Sequence, residues 1–318
     1  MVGVLALVLG LSAATQAAPL DLKQVPAGAK WLVHVDVDAV RESKVVQNAW
    51  REGMKLHPEC AQHLQKVHDE LGIDLTKDVH GLTFYGTEVG KHTGVLIANV
   101  KVDEQKLLEK ASHATDHQTT KYGSLDLHSW TDKGHGHGKP HAAAGTIYKP
   151  EYLVFSSSLD ELKAAVDVLD GKSAAVASDS PLAGAVGPGT TVLARSASLA
   201  QAELPCKSPL AKQVESLQLS TGENEGKSFF DLKVLMANPE VVQQSKTIVE
   251  GGKALAAVHV GSDEVGKRLV DALQIKAEDK TLTIHWTASA DDVWTSIQTH
   301  AKAWMEMKAK HQAAGKKK

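Results

Sequence analysis

The sequence predicts an α+β fold made of two related units, each with mainly antiparallel sheet packed against helices. Strand-like runs and helical patterns follow one another in the order strand, hairpin, helix rather than in strict βα alternation. The same order of elements occurs twice, which indicates an internal duplication. Hydrophobic residues make up 42% of the 318 residues and aromatic residues only 4%, so the core should be mostly aliphatic.

Local signals define the elements of the first unit. Ser158 and Glu161 have the spacing of a capping box, and Gly171 follows the last apolar position of the helix that they open. Gly72 should end an earlier helix in the same way. The other elements predicted here are a strand at 31–37, a helix with Leu64, Val67 and Leu71, a hairpin of 82–87 and 93–102, a helix with Leu107, Leu108 and Ala111, and strands at 124–130 and 151–156.

The second unit repeats this order with shorter intervals, as expected if it has lost segments. Asn238 and Pro239 are the residue types favoured at a helix start, and Ser289 is placed to cap the last helix. The elements predicted here are a strand at 191–194, a helix with Leu210, Val214 and Leu217 after Cys206, a hairpin of 217–221 and 227–236, a helix from Asn238, a strand at 282–286 and the final helix.

These patterns divide the chain into five segments. The segment 173–189 is rich in Ala, Ser, Gly and Pro, which is typical of a linker. The predicted division is a signal peptide at 1–17, a first unit at 18–172 with a His-rich insertion, the linker at 173–189, a second unit at 190–307 and a Lys-rich tail at 308–318.

The N-terminal residues predict export. An apolar run from Val2 to Leu11 is about half the roughly 20 residues that a membrane-spanning helix needs. Thr15 and Ala17 place small side chains at the positions that a signal peptidase accepts, although no Lys or Arg precedes the run. We expect the mature chain to begin near Ala18 or Pro19 and to be periplasmic or secreted. A buried N-terminal strand or helix is the alternative.

Several runs resemble a family of uncharacterised exported proteins from environmental bacteria of the planctomycete kind. They are HVDVDAVRESK, QTTKYGSLDLHSWTDKGHGHG, SLDELKAAVDVLDGK and CKSPLAKQVESLQLSTGENEGK. The resemblance implies a periplasmic or secreted protein without assigned activity, and it brings no functional residues with it.

Charge and motifs exclude several classes of function. The formal net charge is −3, and no basic cluster precedes the extreme C-terminus, which argues against a nucleic-acid partner. No nucleophile signature is present. The run from Gly261 to Arg268 fits Gly-x-x-x-x-Gly-Lys, but Arg268 replaces the Mg²⁺-binding Ser or Thr, and Asp263 and Glu264 would repel phosphates. This run is therefore interpreted as an ordinary helix start.

Two pairs of chemically capable residues have simpler interpretations. Asp36 and Asp38 alternate, so on a strand both would project to one face as an acid pair or metal site; a solvated face or a strand-end cap is favoured. His113 and His117 have the i, i+4 spacing of zinc-binding helices, but Thr119 and Thr120 indicate a segment leaving a helix. His34, His80 and His285 lie in strand runs and are interpreted as hydrogen-bonded sheet histidines.

The metal prediction rests on a Gly- and His-rich tract. Twelve of the 16 histidines lie between His34 and His141. Glycines leave the backbone free to bring His135, His137 and His141 onto one Zn²⁺, Ni²⁺ or Cu²⁺ ion. A flexible surface loop that captures metal only incidentally is the alternative.

Cys60 and Cys206 precede corresponding predicted helices, and in an exported chain they are compatible with one disulfide joining the two units. Two separate buried thiols are the alternative. Three classes of function remain open from the sequence: a non-catalytic exported protein with a binding or envelope role, a metal-binding protein that uses the His tract, and a hydrolase-like enzyme whose site is assembled in space.

Overall fold

The structure is a computed structural model that describes residues 19–89, 93–133, 140–197 and 209–315, together with Leu199. Within these residues the chain forms eight α-helices and one twelve-stranded antiparallel sheet. The α+β prediction is therefore confirmed. No helix in the described residues is both long and apolar enough to cross a membrane.

The first half contains seven strands and five helices, which run in chain order. They are β1 (Trp31–Asp36), α1 (Val37–Glu42), α2 (Lys44–Leu56), α3 (Glu59–Leu71), β2 (Val79–Gly86), β3 (Val95–Val100), α4 (Glu104–Ser112), β4 (Gln118–Tyr122), β5 (Leu125–Asp132), β6 (His141–Lys149), β7 (Tyr152–Ser156) and α5 (Leu159–Leu169). The predicted caps are present: the Ser158 side chain accepts from the Glu161 N–H, and Gly72 ends α3 with φ of 68°.

The second half contains five strands and three helices. They are β8 (Thr190–Ala197), β9 (Val214–Asn224), β10 (Lys227–Met236), α6 (Pro239–Val260), α7 (Glu264–Asp271), β11 (Gln274–Glu278), β12 (Thr281–Ser289) and α8 (Ala290–Gly315). Asn238 caps α6 as the sequence predicts, with its side chain accepting from the Val241 N–H.

The strand order of the sheet is β11-β12-β10-β9-β8-β1-β2-β3-β7-β6-β5-β4. Reading outward from the central β1–β8 pair, the halves follow corresponding orders, β1-β2-β3-β7-β6 and β8-β9-β10-β12-β11, and the hairpin β4–β5 extends the first half only. This correspondence agrees with the predicted duplication, which stays an inference.

Two helices of the first half cover opposite faces of the sheet. On one face, Leu162 of α5 packs with Val154 and Leu127 in the largest core cluster. On the other face, Leu107 of α4 packs with Leu153. Successive strand residues point to opposite faces of the sheet, so Val154 belongs to the first cluster and Leu153 to the second.

The segment 173–189 is packed against the sheet. Leu182 is only 1% exposed and belongs to the largest core cluster. Arg195 on β8 is buried, and its guanidinium donates hydrogen bonds to the carbonyl oxygens of Leu182, Gly184 and Ala185 at 2.9–3.1 Å. These bonds fix the connection between the halves to the centre of the sheet.

One predicted element is wrong. The sequence predicts a helix with Leu210, Val214 and Leu217, but β9 begins at Val214 after a single 3₁₀ turn, Ala211–Gln213. Pairing of β9 with both β8 and β10 gives this stretch two rows of backbone hydrogen bonds, which outweigh its helical apolar spacing.

Candidate functional site

An apolar cavity lies between α4 and the face of the sheet formed by β5, β6 and β7. Its volume is about 520 Å³, which is within the usual range of small-molecule sites. Its apolar lining includes Leu107, Leu108 and Ala111 on α4 and Trp130, Ile147, Leu153 and Phe155 on the strands. The cavity exists because no residue of α4 is fully buried, so the helix roofs the sheet without filling the space beneath it.

A glycine on β6 shapes the floor of this cavity. A Cβ atom at Gly145 would lie 2.7 Å from Phe155 Cδ1 and 3.3 Å from a ring carbon of Trp130. Because Gly145 has no side chain, the two rings pack edge to face across it, at 86° with centroids 6.5 Å apart. The two aromatic rings therefore form the floor of the cavity, and they can pack there because Gly145 has no side chain.

A second close contact, between the end of α3 and the start of α4, positions the helix that forms the roof of the cavity. A Cβ atom at Gly72, the residue that ends α3, would lie 2.5 Å from Asp103 Cβ, and Asp103 is the N-cap of α4. The side chain of Lys110 on α4 reaches Glu70 on α3, with Nζ 2.6 Å from a carboxylate oxygen. These contacts place α4 against α3 at the edge of the cavity.

Two histidines form a hydrogen-bonded pair beside the cavity. His117 Nε2 lies 3.0 Å from His128 Nδ1, and the rings are 16° from parallel with centroids 5.3 Å apart. The distance between the centroids equals the N···N distance plus the distance from centroid to nitrogen in each of the two rings. The two nitrogens therefore point at each other, as in a linear N–H···N hydrogen bond. One nitrogen must donate and the other accept. A metal ion between them would need about 4 Å between the nitrogens, at 2.0–2.1 Å per bond.

The surroundings of this pair favour an uncharged His128. Burial lowers the pKa of His128, and the charge of His117 lowers it further, whereas Asp126 opposes both effects. Thr119 Oγ1 lies 3.3 Å from the same His128 nitrogen. His128 therefore favours the uncharged form at neutral pH.

Two other polar side chains of the lining have partners in the protein. Lys110 is paired with Glu70, and Thr146 donates its hydroxyl to the Asp126 carbonyl oxygen at 2.8 Å. Among the described residues that line the cavity there is no carboxylate, cysteine or serine. The arrangement can hold an apolar molecule.

A second cavity, of about 810 Å³, lies against β1, β2 and β3 and is lined mainly by polar residues, including His34 and His80. Both are strand histidines, as predicted, and His34 Nδ1 lies 2.9 Å from Thr83 Oγ1. His80 Nδ1 lies 3.0 Å from Asp38, which also pairs with Arg41.

The acid pair predicted on a strand is separated by a helix start. β1 ends at Asp36, whose side chain caps α1 by accepting from the Ala39 N–H, and Asp38 lies in the first turn of α1. The two carboxylates therefore have different roles, and the favoured strand-end cap is correct for Asp36. His113 is the C-cap of α4, which confirms that the segment leaves a helix before His117.

The loop that resembles a phosphate-binding motif connects two helices. Residues 256–260 belong to α6, and Asp263 caps α7 by accepting from the Val265 N–H. The helix-start interpretation is confirmed, with Asp263 as the cap.

Part of each remaining site prediction lies outside the described residues. His135 and His137 are outside them, whereas His141 opens β6 with Nε2 3.8 Å from an Asp132 carboxylate oxygen. The residues that the structure describes contain no group of three or more His, Cys, Asp and Glu able to hold a metal ion.

Cys60 is exposed on α3 and Cys206 is outside the described residues, so the disulfide stays a prediction. The predicted signal peptide at 1–17 is also outside them.

The sequence patterns predict neither the cavity nor the histidine pair. A signal for the pair was present: β4 and β5 form a hairpin around Gly123, whose φ is 60°, with Thr119 opposite His128. Recognising β4 as a strand would have placed His117 near His128.

No family model matches the chain, and no curated protein matches it. The chain is similar to solved structures of TP0453 in crystal forms I, III and IV. Sequence identities are 11%, 12% and 12%, and TM-scores are 0.44, 0.46 and 0.45. The alignments cover 89%, 89% and 88% of this chain and 98%, 99% and 97% of TP0453. At these values the similarity carries no inference about function.

Proposed function

We propose that the protein is a non-catalytic exported protein, periplasmic or secreted, that binds a small neutral apolar molecule beneath α4. The observation that carries this proposal is the 520 Å³ cavity with an aromatic floor and an aliphatic roof. Enclosing an apolar ligand there removes apolar surface from water on both partners, which is the main source of affinity in such sites.

The polar groups around the cavity set the class of ligand. Lys110 and His128 each have a polar partner in the protein, and His128 favours the neutral form. A charged ligand would lose its hydration without gaining an unpaired counter-charge, so a neutral ligand is favoured. Leu108 is 40% exposed on α4, so the roof has few contacts to lose when a ligand enters.

A substitution that fills the cavity tests the proposal. Ala111 lines it, so Ala111→Trp should occupy the space with an indole ring. The neutral fluorescent probe N-phenyl-1-naphthylamine should bind the natural protein with one saturable site, and Ala111→Trp should weaken that binding at least about tenfold, the loss expected when contacts worth about 1.4 kcal/mol disappear.

The matched control is Ala301→Trp, which places the same ring at an exposed position on α8. This variant should bind the probe as the natural protein does, and circular dichroism should show both variants folded. Equal probe binding by the natural protein and by a folded Ala111→Trp variant would overturn the proposal, because the probe would then bind elsewhere.

A further inference from the structure

The polar cavity on β1, β2 and β3 is constructed differently from the cavity beneath α4. Its walls come from three parts of the chain: the stretch at 19–24 before β1, the three strands, and the turn between β6 and β7. Asn99 and Gln24 contribute amides, and Tyr152 contributes an aromatic ring. Its polar composition suits a ligand that makes hydrogen bonds.

A buried carboxylate, which is paired with an arginine, fixes one imidazole of this cavity. Asp38 is only 7% exposed and accepts a hydrogen bond from Arg41, which also bonds the Val79 carbonyl oxygen. A carboxylate only accepts, so the His80 nitrogen that faces Asp38, Nδ1, carries the proton. In the neutral ring Nε2 is then an acceptor, and in the described residues Asp38 is the only hydrogen-bond partner of His80.

The charges along the wall have one sign. Asp21 and Glu151 contribute carboxylates, and the described lining contains no Lys or Arg. Glu151 is held in the turn with φ of 73°, and its backbone carbonyl accepts the Val100 N–H at 2.9 Å, so the turn is tied to β3. The lining of the cavity thus carries acceptors and negative charge.

We propose that this cavity is a second binding site, which takes a small organic cation whose ammonium groups donate hydrogen bonds. Glu151 and Asp21 supply the counter-charge, His80 Nε2 accepts an N–H, and the Tyr152 ring offers its face to the cation. This site is independent of the apolar cavity, since the two share no lining residue.

Titration calorimetry with spermidine tests the proposal. Spermidine should bind the natural protein, and Glu151→Gln and His80→Phe should each weaken binding about tenfold, as expected for loss of a charge-assisted hydrogen bond. The matched control is Asp160→Asn: its carboxylate is 96% exposed on α5, outside the cavity, and its removal should leave binding unchanged. Glu151 is exposed in a turn, so Glu151→Gln should fold even if His80→Phe does not.

Two further probes separate charge from hydrogen bonding. Tetramethylammonium has the charge without N–H donors, and glucose has donors without the charge; both should bind more weakly than spermidine. Stronger binding of glucose would overturn the assignment to a cation. Equal weakening by Asp160→Asn and Glu151→Gln would show general attraction to an acidic protein and would also overturn it, as would no binding of spermidine. None of these outcomes bears on binding of the neutral probe beneath α4.

Discussion

The helices α4 and α6 occupy corresponding positions in the two halves, yet they cover the sheet differently. Each follows the third strand of its half and packs on the strands beyond it. Val242 of α6 is fully buried and packs with Val234 and Ile284. No residue of α4 is fully buried, and a cavity of about 520 Å³ lies beneath it.

The difference follows from helix length and sheet width. α6 has 22 residues and α4 has nine, which correspond to about 33 Å and 13 Å of helix. The shorter helix faces the wider half, because the hairpin β4–β5 extends the sheet only there. One arrangement of strands therefore supports a filled core in one half and a cavity in the other. The cavity therefore arises from incomplete coverage of the sheet.

The largest expected effect tests the filled side. Val242→Ala should lower the free energy of unfolding by about 2–3 kcal/mol, because it removes two methyl groups from full burial and leaves a cavity behind. Urea denaturation measures this loss. A cost below about 1 kcal/mol would show that α6 also lies loosely on its strands, and the comparison would fail.

The matching substitution on the other side should cost less. Leu107→Ala removes a larger side chain than Val242→Ala does, but Leu107 is only partly buried and borders space that is already empty. We expect a loss of about 1 kcal/mol or less in the same urea experiment. A cost above that of Val242→Ala would mean that α4 contributes to a well-packed core.

A smaller effect should appear on acidification. The pKa of His128 is lowered in the folded protein, so below the ordinary histidine pKa the unfolded chain binds more protons than the native one. The stability that this shift contributes is fully present above about pH 6.5, the ordinary pKa of histidine. This contribution should fall as the pH decreases from there through the lowered pKa of His128.

Melting temperatures between pH 7.5 and pH 5 measure this loss of stability. His128→Gln should reduce the fall, whereas His300→Gln, which changes an exposed histidine on α8, should not. Identical pH profiles for all three proteins would remove the His117–His128 pair as a source of pH sensitivity.

The smallest effect concerns the roof. Lys110→Gln breaks the ion pair between Lys110 and Glu70. The Lys110 side chain is 56% exposed and the Glu70 side chain 39%. Pairs of this exposure contribute little, so we expect a change within about 0.5 kcal/mol despite the 2.6 Å contact. A larger loss by urea denaturation would indicate that α3 holds α4 in place through this pair.

The features that the sequence predicts correctly are local ones. The capping box at Ser158, the glycine stop at Gly72 and the β2–β3 hairpin depend on residues a few positions apart. The helices between 37 and 56 and the strands β4, β6 and β11 were not predicted. The predicted helix at 210–217 is wrong because pairing between distant strands decides that stretch.

The cavity beneath α4 could not be predicted for a related reason. Its lining comes from residues 107–155 and meets only because β7, β6 and β5 lie side by side in reverse chain order. The sequence pattern showed the apolar side of α4 but not the sheet that it fails to cover. The pairing of His80 with Asp38 likewise depends on β1 ending one residue before α1 begins.

The central pairing of β1 with β8 has a consequence for how the chain reaches its native state. Leu32 lies opposite Arg195 and His34 opposite Leu193, although about 160 residues separate the two strands in the sequence. At about 5–20 residues per second, β1 would wait on the order of 10–30 s during synthesis before β8 exists. Until then one border of β1 has open backbone groups that another chain can join. We expect aggregation of newly made protein to begin at this strand, and fragments that end before β8 to be less soluble than the whole chain.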